Sequence, residues 1–389
     1  MSDALTVLAV LAALPPLVFG AECLAGLGGS GVAAPSEAPP PFAVIIPAHN
    51  EAAGVAATIA AVKAQLRAVD RVIVVADNCT DKTAAIAGDA GAELVVRNCD
   101  RDLGKGFALA AGRAVLRAAP PTVAIVVDAD CLPDPGALPA LAATAARDQA
   151  VIQGLYLLED APHPGPNAAI STFAFLIKNH VRQRGLRRFG APALLQGTGM
   201  AFPWSIFDAA PLASGNIVED LELGIELAIA GVPIKFSEST CFRSAATTGA
   251  ALATQRTRWE HGAIGIATRY SARLLLAAVR GRPQLILVLL DLCVPPVALL
   301  TLILFVLALA GLGIGLAGGG FGVLVTIGAE IAWMAVALLL AWWRFGRRAL
   351  PATTLLQLPA YIVWKLPIYL RLIGRRERRW IRTARKTTP

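Results

Sequence analysis

The chain has 389 residues, 56% of them hydrophobic and 16% charged, with a net charge of +8 and a mean hydropathy of +0.61. A soluble domain carries about 25% charged residues, so part of this chain is expected in lipid, and so much apolar material excludes whole-chain disorder. The six cysteines are dispersed with no C-x-x-C pair, which excludes a disulfide scaffold and a cysteine zinc cage and suits a reducing compartment.

The first apolar run, Leu5 to about Leu27, is long enough to span a membrane. Asp3 is the one charged side chain before it, so the basic flank of a cleaved signal peptide is missing. Residues 1–28 therefore read as a retained anchor, followed by a Gly/Pro linker over 29–41. From 42 to 270 the composition is that of a soluble domain. Short apolar runs (Phe42–Ile46, Arg71–Ala76, Leu94–Val96, Val123–Val127, Val151–Leu157) alternate with helical patterns (Ala52–Arg67, Lys82–Ala90, Gly106–Arg117, Gly136–Arg147). This alternation predicts an α/β domain with a mostly parallel sheet whose runs are buried on both faces.

Residues 271–283 read as an interfacial segment, and 284–343 as two transmembrane helices, near Leu285–Ala310 and Phe321–Trp343. Between Arg282 and Arg344 the charges are Asp291 and Glu330 alone. An acid within a span is costly, so Glu330 either lines a glycan or lipid passage or is protonated or paired between helices. Residues 344–389 carry twelve Lys or Arg against one acid, Glu377, and read as a basic, interfacial C-terminal segment whose partner is a membrane surface rather than nucleic acid. Keeping Arg344–Arg348 and Arg375–Arg385 on one side means that 350–373 does not cross. Three spans then put the N-terminus outside and 42–270 in the cytosol.

In such sheets ligands bind at the C-terminal ends of strands. The first strand ends in Pro47-Ala48-His49-Asn50-Glu51, where Asn50 is a candidate helix cap and Glu51 a candidate acceptor for a nucleoside hydroxyl or base N–H. The second ends in Asp77-Asn78-Cys79-Thr80-Asp81-Lys82-Thr83, a turn and cap or, at Asp77, an acceptor for a base or ribose. Gly104-Lys105-Gly106 opens a helix; alone, without the full Walker pattern, it reads as a plain turn with a solvated lysine, and with other motifs beside it, it suits a phosphate or sugar hydroxyl. Asp128-Ala129-Asp130 follows the fourth strand; two such carboxylates repel, and a divalent cation relieves the repulsion. Val218-Glu219-Asp220 places acids at a helix start, where the dipole accounts for some of them. Gln255-Arg256-Thr257-Arg258-Trp259 is either an interfacial anchor or an arginine clamp on pyrophosphate, with Trp259 a platform for a sugar ring. His49, His163, His180 and His261 show no ligand spacing.

In this order the motifs resemble membrane-bound family 2 glycosyltransferases with a GT-A fold, in a pattern similar to poly-N-acetylglucosamine, chitin-oligosaccharide, hyaluronan and cellulose synthases. The resemblance covers about residues 42–270 and the flanking spans. It implies a GT-A nucleotide-diphospho-sugar transferase domain with a mostly parallel sheet, about three transmembrane helices and C-terminal interfacial helices. It further implies that Glu51, Asp77, Lys105 and Asp128 bind the donor nucleotide, that Asp130 holds Mg²⁺ or Mn²⁺, and that Asp220 is the catalytic base. Gln255, Arg258 and Trp259 would close over the diphosphate and acceptor. The implied reaction is inverting transfer from a nucleotide-sugar donor, a UDP-hexose or UDP-N-acetylhexosamine, to a glycan or lipid acceptor at the cytosolic face of the inner membrane.

Two departures bear on the product. The family's Thr-Glu-Asp reads Val218-Glu219-Asp220, and the visible spans are fewer than in enzymes that secrete long polymers. A secreting polymerase would therefore need a homo-oligomer or a secretion partner. Gln196-Gly197-Thr198-Gly199-Met200 falls where these enzymes form the acceptor site. A non-catalytic sensor or scaffold on the same fold would have lost Asp220 or the Asp-x-Asp, and both are present. A transporter would need more spans, and a nucleotidyltransferase would not explain Gln255–Trp259.

Overall fold

The computed structural model describes residues 12–29, 37–159 and 165–374. The start of the first apolar run, most of the Gly/Pro linker and the Arg375–Arg385 cluster lie outside them. The chain forms two compact units. One comprises residues 37–159 and 192–266, the other 12–29, 165–191 and 267–374.

The first unit is built on an eight-stranded sheet in the order β3-β2-β1-β4-β7-β6-β8-β5. The strands are β1 (Phe42–Ala48), β2 (Arg71–Asp77), β3 (Glu93–Arg97), β4 (Val123–Val126), β5 (Cys131–Pro133), β6 (Val151–Glu159), β7 (Met200–Pro203) and β8 (Ile234–Ala245). The sheet is mixed. Pairings among β1, β2, β3 and β4 and between β6 and β8 are parallel, whereas β7 runs antiparallel to both β4 and β6, and β5 antiparallel to β8. The expected parallel half is thus present, and reversed strand β7 brings the Gly197–Gly199 segment to the C-terminal end of β4, where Met200 pairs with Val126.

The Val/Ile-rich strands β1, β2 and β4 are almost wholly buried, as parallel strands covered on both faces must be. β3 departs from that expectation. It is the edge strand and largely exposed, with Glu93 and Arg97 at its ends, charges that blunt an open edge. Helices Val55–Lys63, Thr83–Asp89, Lys105–Leu116 and Ala137–Asp148 match the four helical patterns. A further helix, Glu219–Ala230, stops where Gly231 takes a left-handed φ of 91°. The helix Gly249–Val279 follows β8, so 271–279 continues a helix rather than starting a separate segment.

The second unit gathers apolar helices around Phe19, Phe173, Ile177, Leu304, Ile327 and Met334. Two of them, Val297–Gly319 and Gly322–Gly346, are long and apolar enough to cross a membrane; Leu14–Leu27 and Leu358–Leu370 are shorter apolar helices. The first expected span is broken. Leu285–Cys293 is a helix of its own, and Pro295-Pro296 interrupts the chain before the next begins at Val297. Residues 165–191, expected in the sheet domain, pack here instead as helical segments Pro166–Leu176, Ile177–Arg182 (a π-helical turn) and Gln183–Arg188. Close approach to the helix Leu14–Leu27 depends on two glycines. A Cβ on Gly26 would lie 2.1 Å from the Val181 carbonyl, and one on Gly185 2.1 Å from that of Glu22. Glu330 sits on the buried seam of its helix, and both carboxyl oxygens lack a hydrogen-bond partner among the described residues.

Candidate active site

Strand ends β1 and β2 are knitted into one rim. Asn50, at φ 56°, does not cap the next helix as expected; its Oδ1 accepts from the backbone N–H groups of Thr80 (2.7 Å) and Asp81 (3.2 Å). The Glu51 N–H donates to Thr83 Oγ1 at 2.8 Å. His49 Nδ1 donates to the Asp77 carbonyl at 2.7 Å. Asp77 is buried, and its Oδ1 accepts from Arg97 Nη1 at 2.6 Å and from Asn78 Nδ2 at 3.2 Å. Arg97 faces Asp77 in register across β2 and β3, donates to the Asp102 carbonyl at 2.7 Å, and lies 5.5 Å from the centroid of Phe107. Arg97 escaped the sequence reading; the signal was a lone cation ending a strand that parallels the Asp77 strand.

The second group lies around Lys105. Its ammonium pairs with the Asp128 carboxylate and donates to the Gly197 carbonyl at 2.7 Å. Burial alone would pull this ammonium down, but Asp128, Glu219 and Asp220 carry it above its ordinary range. A Cβ added at Gly197 would sit 3.2 Å from both Asp220 Oδ2 and Lys105 Nζ and 3.8 Å from Asp128 Oδ2. Gly197, at φ 89°, is thus where the backbone passes closest to the carboxylates, in a conformation only glycine adopts without strain. Asp220 Oδ1 accepts the Leu221 N–H at 2.8 Å, a helix-start bond that leaves Oδ2 facing Gly197. Burial and the neighbouring Asp220 push the Glu219 carboxyl up to about 8, against the pull of Lys105.

Loop 212–215 brings the Glu219 helix to Lys105. Ser214 Oγ donates to Glu222 Oε2 at 2.8 Å, and a Cβ on Gly106 would lie 2.2 Å from the Leu212 carbonyl and 2.7 Å from that of Ser214. Close packing therefore accounts for the second glycine of Gly104-Lys105-Gly106. Gly106→Ala is expected to destabilise the protein by about 1–3 kcal/mol, because backbone cannot give way as a side chain would. Gly88→Ala, where a Cβ meets nothing within 4 Å, is the control and should stabilise by about 0.5–1 kcal/mol. Chemical unfolding of both variants checks the pair.

Asp130 lies in the turn from β4 to β5, beside the first rim: a Cβ on Gly54 would stand 3.6 Å from the Ala129 carbonyl and 3.8 Å from Asp130 Cα. Thr58 Oγ1 donates to that carbonyl at 2.9 Å. Gln255, Arg258 and Trp259 lie on the helix Gly249–Val279, half-buried. That helix touches the Glu219 segment through Gly262, whose Cβ would lie 2.7 Å from Val218 Cγ1. Gln255 Oε1 is buried without a donor among the described residues. Arg256 lies 5.2 Å from the Trp259 ring centroid, so that ring carries a guanidinium.

A family model described as glycosyltransferase-like family 2 matches residues 39–262, more than half of the chain. The chain belongs to that family. Uncharacterized glycosyltransferases of Mycobacterium tuberculosis and Mycobacterium bovis are each 43% identical over 100 residues, which is 26% of this chain and 41% of theirs. The match thus spans less than half the length of these curated relatives. A mannosyltransferase from Pyrobaculum calidifontis, solved with GDP-Man and Mn²⁺, aligns with a TM-score of 0.57 at 18% identity, covering 97% of this chain and 99% of that one. At that identity the likeness establishes a shared GT-A-type fold.

Proposed function

We propose that this glycosyltransferase moves a hexose or N-acetylhexosamine from a UDP-linked donor to a glycan or lipid acceptor at the cytosolic face of the inner membrane. The linkage made is β, and the role is in exopolysaccharide, cell-surface glycan or glycolipid synthesis. The observation that carries the reading is the convergence of Lys105, Asp128 and Asp220 on the Gly197 loop, at the strand ends of a family 2 domain. The two long apolar helices support the membrane placement.

Asp220 Oδ2 takes the proton of the attacking hydroxyl, a contribution of about 10²–10⁴ in rate. A base on the face opposite the leaving nucleotide inverts the anomeric carbon. Lys105 and Arg258 supply positive charge to a departing diphosphate. Glu51 and Asp77 hold the nucleoside. Arg97 and Asn78 donate to Asp77 Oδ1, leaving Oδ2 as the acceptor for a base N–H. Gln255 and Trp259 close over the acceptor.

No group of three or more His, Cys, Asp or Glu that could hold a metal by itself occurs among the described residues. Mg²⁺ takes one or two carboxylates completed by phosphate oxygens and water, so the Asp128–Asp130 turn fits an ion that arrives with a diphosphate, with Asp130 as ligand. The Mn²⁺ in the mannosyltransferase complex supports this choice. When bound, the ion would neutralise charge developing on the leaving phosphate.

The test is nucleotide release from UDP-GlcNAc, UDP-glucose, UDP-galactose and GDP-mannose by detergent-purified protein, with Mn²⁺ or Mg²⁺ and a bacterial lipid extract. The expected result is release from one UDP donor, abolished by EDTA and restored by the metal. Sugar-nucleotide binding without release from any donor would favour a non-catalytic sensor.

A further inference from the structure

Strand β6 contains one fully buried polar side chain, Gln153, between Ile152 and Gly154. Its Oε1 accepts the Gln196 N–H at 2.8 Å, and its Nε2 donates to the Thr198 carbonyl at 2.9 Å and to the Gly154 carbonyl at 2.8 Å. One carboxamide thus holds both sides of Gly197, the residue between its two loop partners. The Gly154 N–H adds a bond to the Gly199 carbonyl at 2.8 Å. On the opposite side of the loop, the buried Thr198 accepts the Asp128 N–H on its Oγ1 at 3.1 Å. The Gly197 carbonyl meets Lys105 Nζ at 2.7 Å.

We infer that Gln153 is a positioning residue for sugar transfer, fixing the Gly197 loop so that Lys105, Asp128 and Asp220 keep their mutual spacing around the acceptor hydroxyl. The inference rests on the transfer site proposed above. Gln153 touches neither donor nor acceptor; it acts through the loop backbone. A left-handed glycine flanked by a second glycine does not hold one conformation by itself. Two amide bonds to one buried side chain restrict it, and replacing Gln153 removes its side-chain bonds to the Gln196 N–H and to the Thr198 and Gly154 carbonyls. The nucleoside rim at Glu51 and Asp77 is tied by separate bonds and does not depend on Gln153.

The consequence is a split between steps. Gln153→Leu should lower lipid-extract-stimulated UDP release by about tenfold or more and UDP affinity, measured with Mn²⁺, by a clearly smaller factor, since the rim at Glu51 and Asp77 stays in place while Lys105 and Asp128 shift. Release to water without the extract should fall by less than about threefold, because water needs no oriented acceptor site. Gln153→Glu preserves shape and the Oε1 acceptor but turns a carboxylate toward the Thr198 and Gly154 carbonyls. It carries the test if Gln153→Leu fails to fold, and the same split is expected. Equal losses in UDP binding, hydrolysis and stimulated release would reduce Gln153 to a structural role and overturn the inference. Unchanged stimulated release in both variants, beside an inactive Asp220→Asn, would overturn it as well. Stimulated release that survives in Asp220→Asn would instead remove the proposed base beneath it.

Discussion

Asp220→Asn is expected to lower sugar transfer by about 10²–10⁴ while leaving UDP binding within about twofold, because what it removes is the general base proposed for transfer. The variant is a clean one. Asn keeps an oxygen for the Leu221 N–H, now held at 2.8 Å, so the helix start survives. The charge and basicity of the oxygen facing Gly197 and Lys105 are lost. Glu219 supplies an internal comparison. Its carboxyl lies beside Asp220, and burial with that neighbour raises it to about 8. Below that pH the side chain is a neutral acid; above it, a second anion stands beside the base and near the diphosphate. The donor KM of the native enzyme should therefore rise about threefold to tenfold as pH passes from 7 to 9. Glu219→Gln imitates the protonated acid and should remain active with a flat KM over that range. Steady-state kinetics of both variants across pH 6–9 separates the roles. Full activity in Asp220→Asn, with loss in Glu219→Gln, would exchange the two acids.

Much of the sheet unit was legible in the chain. Buried parallel strands are nearly continuous Val/Ile runs, so β1, β2 and β4 announce themselves, and the acids at 77, 128 and 130 follow from where those runs stop. The acid pair at 219–220 was legible as a helix start, because carboxylates gather there. What escaped depends on partners distant in sequence. Arg97 gains meaning only when β3 is laid in register beside β2, and Gln153 only when reversed strand β7 brings Gln196 and Thr198 to β6. β3 looked like a buried strand because Leu94-Val95-Val96 is apolar, but its terminal charges mark an edge. Residues 165–191 were misplaced for a related reason. Their helices carry Arg182, Arg184, Arg187 and Arg188, which reads as soluble until Arg182 is found between two acids distant in sequence, Glu22 and Asp291. Arg184 shows how local the remedy can be: its Nε donates to the Gly26 carbonyl at 2.7 Å and its Nη2 to the Gly29 carbonyl at 2.8 Å, covering the end of the helix Leu14–Leu27.

Arg182→Met should cost about 3–5 kcal/mol of stability, as expected when one member of a buried charge group is removed. The guanidinium lies in the π-helical turn Ile177–Arg182 and is 8% exposed. Its Nε donates to Glu22 Oε2 at 2.6 Å and its Nη2 to Asp291 Oδ1 at 2.5 Å, while Phe19 covers it with the ring centroid 5.7 Å away. One cation thus joins the helix Leu14–Leu27, the turn Ile177–Arg182 and the helix Leu285–Cys293, and without it two acids remain in an apolar core. Lysine is a poor replacement, since a single ammonium cannot reproduce a fork that reaches two carboxylates in different directions. The decisive comparison is the triple variant Arg182→Met, Glu22→Gln, Asp291→Asn, which removes all three charges together. If desolvated charge is the cause, the triple variant recovers most of the loss, since a neutral group of similar volume is often no less stable than the ions it replaces. Chemical unfolding in detergent reads both. A loss below about 1 kcal/mol in Arg182→Met would mean that solvent reaches the acids and screens them. A triple variant as unstable as the single one would show that the hydrogen-bond geometry, rather than the charge, holds the three helices together.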